Sequence, residues 1–233
     1  YMVILIPPSE GKTKIKKPMD TRFGETDYYL MDDVKQVIRL LSLIGDEELR
    51  SIYGTSVEKA RIYHRQNQDA LNSRIWYAIE RYCGVVYEHI NWMSMSDNAK
   101  DYMEKYIRIF SGLFGLVTPR TLIPGYKLKM NVLALQHHWK PILTNLLKDE
   151  DVVIDLLPQV HRRAYDAGDN VTTIEFSVIT KGKRTAAGHY GKAVKGEFIR
   201  YIAENNVTSI DDFGGFNYDG FEWDGNMFVK ENK

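Results

Sequence analysis

The chain has 233 residues, with 31 Lys or Arg balanced by 31 Asp or Glu, for a formal net charge of zero. That balance excludes nucleic-acid binding driven by bulk charge alone, and 44% hydrophobic residues exclude a disordered chain. The single cysteine, Cys83, excludes an internal disulfide and any cysteine-cluster metal site. Low cysteine usage and the lack of a signal peptide or of an apolar run near the roughly 20 residues of a membrane span point to a cytoplasmic protein without membrane contact.

Val3 to Ile6 is an apolar run closed by Pro7-Pro8, the pattern of a buried strand opening onto a loop. Asp32 to Ile44 has helical spacing and stops at Gly45. From about 46 to 67 the sequence reads as helix, tight turn, helix, with Asp46 as the cap of the first helix and Ser56 as the cap of the second. Ser73 to Tyr82 is expected to be a helix and Gly84 to Tyr87 a strand. Ser96-Asp97 caps a helix running to about Phe110, and a Gly-punctuated apolar segment follows over 112–117. Val132 to Leu147 is helical with Pro141 kinking or interrupting it, and Val152 to Leu157 is a strand buried on both faces. Pro158 to Ala167 is expected to be helical, Val171 to Thr180 to form a hairpin through Gly182, Lys192 to Asn205 to be a helix, and Phe213 to Val229 to hold the last strands. The whole is one mixed α/β (α+β) domain over 1–233.

The turn at Gly54-Thr55-Ser56 has the chemistry of an anion contact. Gly54 permits a positive φ, the first amides of the next helix sit at the positive end of its dipole, and Lys59 adds a charge. An ordinary αα-corner has the same features. Basic residues cluster in the segments around Lys12, from Arg120 to Lys148, and from Lys181 to Arg200, while acids concentrate elsewhere. Segregated charge of this kind can build a basic cleft on a neutral protein.

Other constellations are empty. Gly11-Lys12-Thr13 lacks the first glycine of a P-loop, where Ile6 stands. His137 and His138 are adjacent and diverge on a helix, no His-Glu-x-x-His pattern occurs, and His161-Arg162-Arg163 reads as a basic surface patch. No Gly-x-Ser-x-Gly elbow is present, and Cys83 has no obvious base. No metal site is expected.

Three blocks carry a resemblance. They are Arg108-Ile109-Phe110-Ser111-Gly112-Leu113-Phe114-Gly115-Leu116-Val117-Thr118-Pro119 leading into Pro124-Gly125-Tyr126-Lys127-Leu128-Lys129-Met130, then His138-Trp139-Lys140-Pro141-Ile142-Leu143-Thr144, then Tyr190-Gly191-Lys192-Ala193-Val194-Lys195-Gly196. In order and spacing the chain resembles the YaaA peroxide stress protein family over nearly its whole length. The resemblance implies a bacterial cytosolic protein of the peroxide response that limits iron-driven damage. It also implies a compact α/β fold with a positively charged cleft and a helix-hairpin-helix element, and binding of duplex or branched DNA without sequence specificity. The expected DNA contacts are Gly54, Thr55, Ser56 and Lys59 in the hairpin, and Lys12, Arg108, Lys127, Lys129, Lys192, Lys195 and Arg200 in the cleft, with Arg120 a weaker candidate. Ser111 and Tyr126 are further polar groups of the cleft. A monomer without a cofactor is expected.

The chain departs from the family pattern at Asp155, Pro158, Val160 and His161, and at Lys129, where the family has Glu. These departures favour binding over catalysis. The alternative is an enzyme acting on a small phosphorylated or nucleotide substrate in the same cleft, through Arg108, Ser111, Tyr126 and Lys192.

Overall fold

The computed structural model describes residues 1–233. The β-branched run at the start forms β1 (Met2–Ile6), buried at every residue. It is flanked by parallel partners on both sides, β4 (Ile107–Ser111) and β7 (Val152–Asp155), with Ile4 opposite Ile107 on one side and Ile154 on the other. Such a strand has no solvent face, so its sequence does not alternate. Beyond β4 lies the antiparallel β5 (Gly115–Val117), and beyond β7 the parallel β8 (Val171–Thr173), giving the order β5-β4-β1-β7-β8.

A second sheet has the order β10 (Lys183–Ala186), β9 (Phe176–Thr180), β12 (Phe228–Asn232), β11 (Glu222–Trp223), and a third the order β2 (Met19–Arg22), β3 (Arg74–Tyr77), β6 (Leu122–Ile123). The helices are α1 (Met31–Ser42), α2 (Asp46–Tyr53), α3 (Val57–Gln68), α4 (Ala78–Arg81), α5 (Val85–Ile90), α6 (Asp97–Tyr106), α7 (Leu135–Leu147), α8 (Gln159–Arg162) and α9 (Tyr190–Glu204). One contiguous apolar core joins all three sheets, and a four-residue satellite of Leu49, Ile52, Tyr53 and Ala60 holds α2 against α3.

Several sequence expectations are corrected. The segment 73–82 is not one helix: Ile75-Trp76-Tyr77 are drawn into β3 because β2 and β6 pair with it on either side, leaving only α4 helical. The expected strand at 84–87 is helix α5, entered through Gly84 at φ 91°. Val86, Tyr87 and Ile90 then share a buried face. This helix lies so close to α9 that a Cβ at Gly196 would sit 2.3 Å from the Val86 carbonyl oxygen. The helix from Ser96 stops at Tyr106, since Ile107–Ser111 pairs with β1. Helix α7 starts only at Leu135, because Leu133 and Ala134 hold positive φ, and Pro141 is accommodated within it. Only 159–162 of the 158–167 segment is helical. The 171–180 stretch splits between two sheets at Ile174, whose amide bonds the Asp155 carbonyl. Gly45 rather than Asp46 is the N-cap of α2, and Asp46 instead pairs with Arg61 of α3 at 2.7 Å. The Ser56 and Ser96 caps form as expected.

Candidate functional site

Within this sheet the chain leaving β1 next returns at β4, on one side of the β1–β7 pair, whereas the chain leaving β7 returns at β8, on the other. Loops leaving neighbouring parallel strands in opposite directions open a crevice at their carboxyl ends, the usual ligand position in such sheets. A cleft of 1040 Å³ occupies this place, walled by Pro7–Lys12, 83–87, 126–131, 157–162 and the start of α9.

Pro7-Pro8 ends β1, and the next residues run antiparallel to 81–83: the Thr13 amide bonds the Arg81 carbonyl at 2.6 Å, and the Cys83 amide donates to Ser9 Oγ at 3.0 Å. This fixed loop turns Lys12 inward. Its Nζ donates to the carbonyls of Ser9 (2.6 Å) and Glu10 (2.9 Å) and lies 4.4 Å from the Tyr126 ring centroid. Burial, only partly offset by Cys83, lowers the Lys12 ammonium to about 7. Behind it, Ser111 Oγ donates to the Tyr126 hydroxyl at 2.9 Å, and the Tyr82 and Tyr126 hydroxyls lie 2.8 Å apart. Burial pushes Tyr126 up to about 12, so this phenol stays protonated.

The opposite wall is organised by Asp155, at the end of β7 and almost fully buried. Its carboxylate accepts the Leu157 amide (2.7 Å), the Tyr165 hydroxyl and Arg162 Nε (3.3 Å), and Arg162 reaches on to Glu175 at 3.3 Å. His161 lies against this wall with a buried Nδ1 that has no hydrogen-bond partner. Burial and the facing Lys195 hold its imidazole down at about 4. Lys195 itself is lowered to about 8, by burial first and by Arg162 next.

Of the residues expected from sequence, the structure gathers Lys12, Lys127, Lys129, Lys192, Lys195 and Tyr126 on the cleft, with Ser111 one hydrogen bond behind. Lys129 pairs with Glu10 at 3.2 Å, and Lys127 Nζ rests 4.4 Å over the Tyr63 ring of α3. Others lie elsewhere. Arg108, near the start of β4, donates to the carbonyls of Glu104 and Ile107. Arg200 is spent on the Ile90 and Asn91 carbonyls, Ser94 and Glu204. Arg120 pairs with Asp101.

The hairpin turn is also apart from the cleft. Gly54 is left-handed (φ 61°), and its amide is used on the Arg50 carbonyl at 2.8 Å. With Thr55 it edges a shallow depression shared with Glu47, Arg50 and Ser51. Ser56 caps α3 about 10 Å along the helix from Tyr63, and the exposed Lys59 lies about 6 Å along it from the same ring.

Sequence reasoning missed Glu10 and the Asp155–Arg162–Tyr165 cluster. His161-Arg162 is not a surface patch, because the fold tucks His161 into the wall and commits Arg162 to two carboxylates. The available signal was an Asp closing an otherwise apolar strand, a place where parallel sheets position ligand contacts.

Residues 2–227 match the family described as peroxide stress protein YaaA. Among curated relatives, the chain is similar to a UPF0246 protein of Flavobacterium johnsoniae, 26% identical over 246 aligned positions that cover 97% of this chain and 96% of the relative. A UPF0246 protein of Streptococcus pneumoniae serotype 4 is 27% identical, with 99% and 100% covered. One from Phocaeicola vulgatus is 25% identical, with 92% and 89% covered.

Proposed function

The chain belongs to the peroxide stress protein YaaA family, and from that premise we propose that it serves the peroxide response by binding DNA along the lysine-lined cleft. The observation that supports this most is the charge of the lining. Six cations (Lys12, Lys127, Lys129, Arg162, Lys192 and Lys195) face two carboxylates (Glu10 and Glu175), on a chain of zero net charge. Cations concentrated between low-dielectric walls attract a polyanion far more strongly than the same number dispersed. Contacts of this type go to phosphate and do not read bases, so duplex and branched DNA are both ligands. The hairpin is a second handhold, with the Thr55 and Ser56 amides and Lys59 toward a phosphate beyond the Lys127 edge of the cleft. DNA so covered is shielded from iron-driven oxidation, which is the protective outcome in the cytoplasm. Each chain carries a whole cleft and acts as a monomer.

The second reading is an enzyme acting on a small phosphorylated or nucleotide substrate. It is favoured by one observation: Lys12 and Lys195 are desolvated in a crevice of the kind that holds nucleotides in α/β sheets. Fluorescence anisotropy of a labelled duplex and a labelled four-way junction at low salt tests the first reading. Absence of binding at micromolar protein overturns it, and displacement of the DNA by an equimolar mononucleotide favours the second.

A further inference from the structure

We infer that Arg81, Gln66 and Gly125 form a phosphate site outside the cleft, beside Lys127, and that a backbone phosphate of bound DNA fills it. The inference rests on the DNA-binding reading above. Its own ground is a buried charge without a counter-ion. Arg81 and Asp155 are the two charged side chains that the fold buries. Asp155 has Arg162 as its partner, whereas Arg81, 6% exposed, pairs with no carboxylate. Arg81 donates only to backbone, from Nε to the Ile123 carbonyl at 2.8 Å and from Nη2 to the Arg74 carbonyl at 3.3 Å. These bonds tie it to β3 and β6 and leave Nη1 free. Burial lowers the guanidinium only to about 10, so it stays charged at neutral pH. A buried cation in this state is costly until an anion reaches it.

The free edge opens on Gly125. A Cβ built there would lie 3.4 Å from Arg81 Nη1 and 3.1 Å from Gln66 Nε2. Gly125 does not hold a positive φ, so what this glycine contributes is space rather than backbone freedom. Gln66 is exposed on α3, and its amide has no hydrogen-bond partner. Two donors and no acceptor therefore border one notch, a pattern that an oxyanion completes. The source of the oxyanion follows from α3. Lys59, Tyr63 and Gln66 fall at i, i+4 and i+7, on one face of the helix. Lys127 lays its ammonium over the Tyr63 ring, and its backbone is pinned to the Asn67 side chain by bonds of 2.9 and 2.6 Å. Lys59, Lys127 and Arg81 thus form a row of cations along α3, which suits a polyanionic strand better than a single small anion. The phosphate that Lys127 neutralises is the one seated in the notch, where its oxygens accept from Arg81 Nη1 and Gln66 Nε2. Such a contact fixes the register of the strand without reading its bases.

Two substitutions test the site. Gly125→Ala fills the notch with a methyl group at unchanged charge, and Gln66→Glu sets a carboxylate against the guanidinium. Anisotropy titrations of a labelled duplex at one low salt concentration compare both with the unmodified protein, and thermal unfolding is followed on each without DNA. Each substitution is expected to weaken DNA binding by about tenfold or more, the loss of one charge-assisted hydrogen bond. Gln66→Glu is also expected to raise the unfolding midpoint by about 2 °C or more, because it supplies the missing counter-ion. Lower affinity together with higher stability is a split that a merely structural role does not give. Unchanged affinity in a folded Gly125→Ala overturns the inference, and so does a lowered midpoint in Gln66→Glu. If Gly125→Ala does not fold, Gln66→Glu decides alone. Inorganic phosphate tests the other source of the anion. If it raises the midpoint of the unmodified protein but not of Gly125→Ala, while both bind DNA equally, the notch takes a free phosphate and the assignment to DNA falls. No binding of the duplex by the unmodified protein overturns the DNA reading itself, and absence of the phosphate shift as well overturns the site.

Discussion

Salt titration of DNA binding gives the cleft a number. Of its six cations, Lys129 is engaged with Glu10 and Arg162 with Asp155 and Glu175, and Lys12 is only partly charged near neutrality. Lys127, Lys192 and Lys195 remain, so about three phosphates are neutralised and log K falls with log salt at a slope of about −2.7. Raising salt from about 50 to about 200 mM then weakens binding about 40-fold. Lys192 is exposed on the cleft side of α9, and its replacement removes one charge without disturbing the core. Lys192→Ala should therefore lower the slope to about −1.8 and reduce the same salt effect to about 12-fold. Anisotropy titrations of a labelled duplex at four or more salt concentrations measure both slopes. A slope shallower than about −1 for the unmodified protein, or one unchanged in Lys192→Ala, refutes the cleft as the DNA contact. If Lys59→Ala changes the slope instead, the hairpin carries the contact.

Other consequences concern single residues. Lys12 and Lys195 lose their charge as pH rises through about 7 and about 8, so DNA affinity at fixed salt should fall across that interval. A flat profile there, measured by anisotropy, would show that neither ammonium meets the ligand. Asp155→Ala leaves the Leu157 amide, the Tyr165 hydroxyl and Arg162 without their shared acceptor. It should cost about 3–5 kcal/mol in urea denaturation, and a loss below about 1 kcal/mol would mean that water replaces the carboxylate. Arg200→Ala should lower stability by about 1.5–3 kcal/mol, because three of its acceptors lie in the 90–94 turn. DNA affinity should stay within about twofold, since its guanidinium does not line the cleft; a large loss of affinity with unchanged stability would return it to the site.

Much of the fold was legible where the deciding interactions are local or repeat along the chain. The unbroken apolar runs of β1 and β7 announce strands with no wet face. The caps at Ser56 and Ser96, the left-handed Gly54 and the Gly182 turn each depend on groups within a few residues, and each forms. The family blocks carried the fold class. What was not legible depended on partners remote in sequence. Arg74–Tyr77 becomes a strand because β2 and β6 border it, and Val85–Ile90 a helix because Gly196 lets α9 approach.

The same division holds for the site. The sequence by itself determined that basic residues are segregated, that Lys12 follows a proline-stopped strand, and that Lys192 and Lys195 share a helix one turn apart. Only the tertiary structure decided that these segments meet, that Arg108 and Arg200 do not join them, and that the Gly54 turn stands apart. Convergence is set by the opposite crossovers of β1 and β7, a property of strand order that no local window contains. The chemistry of Lys12 was hidden for a related reason: a lysine's charge near neutrality depends on how much water the surrounding fold removes from it, and Tyr82 and Tyr126 become its neighbours only through folding.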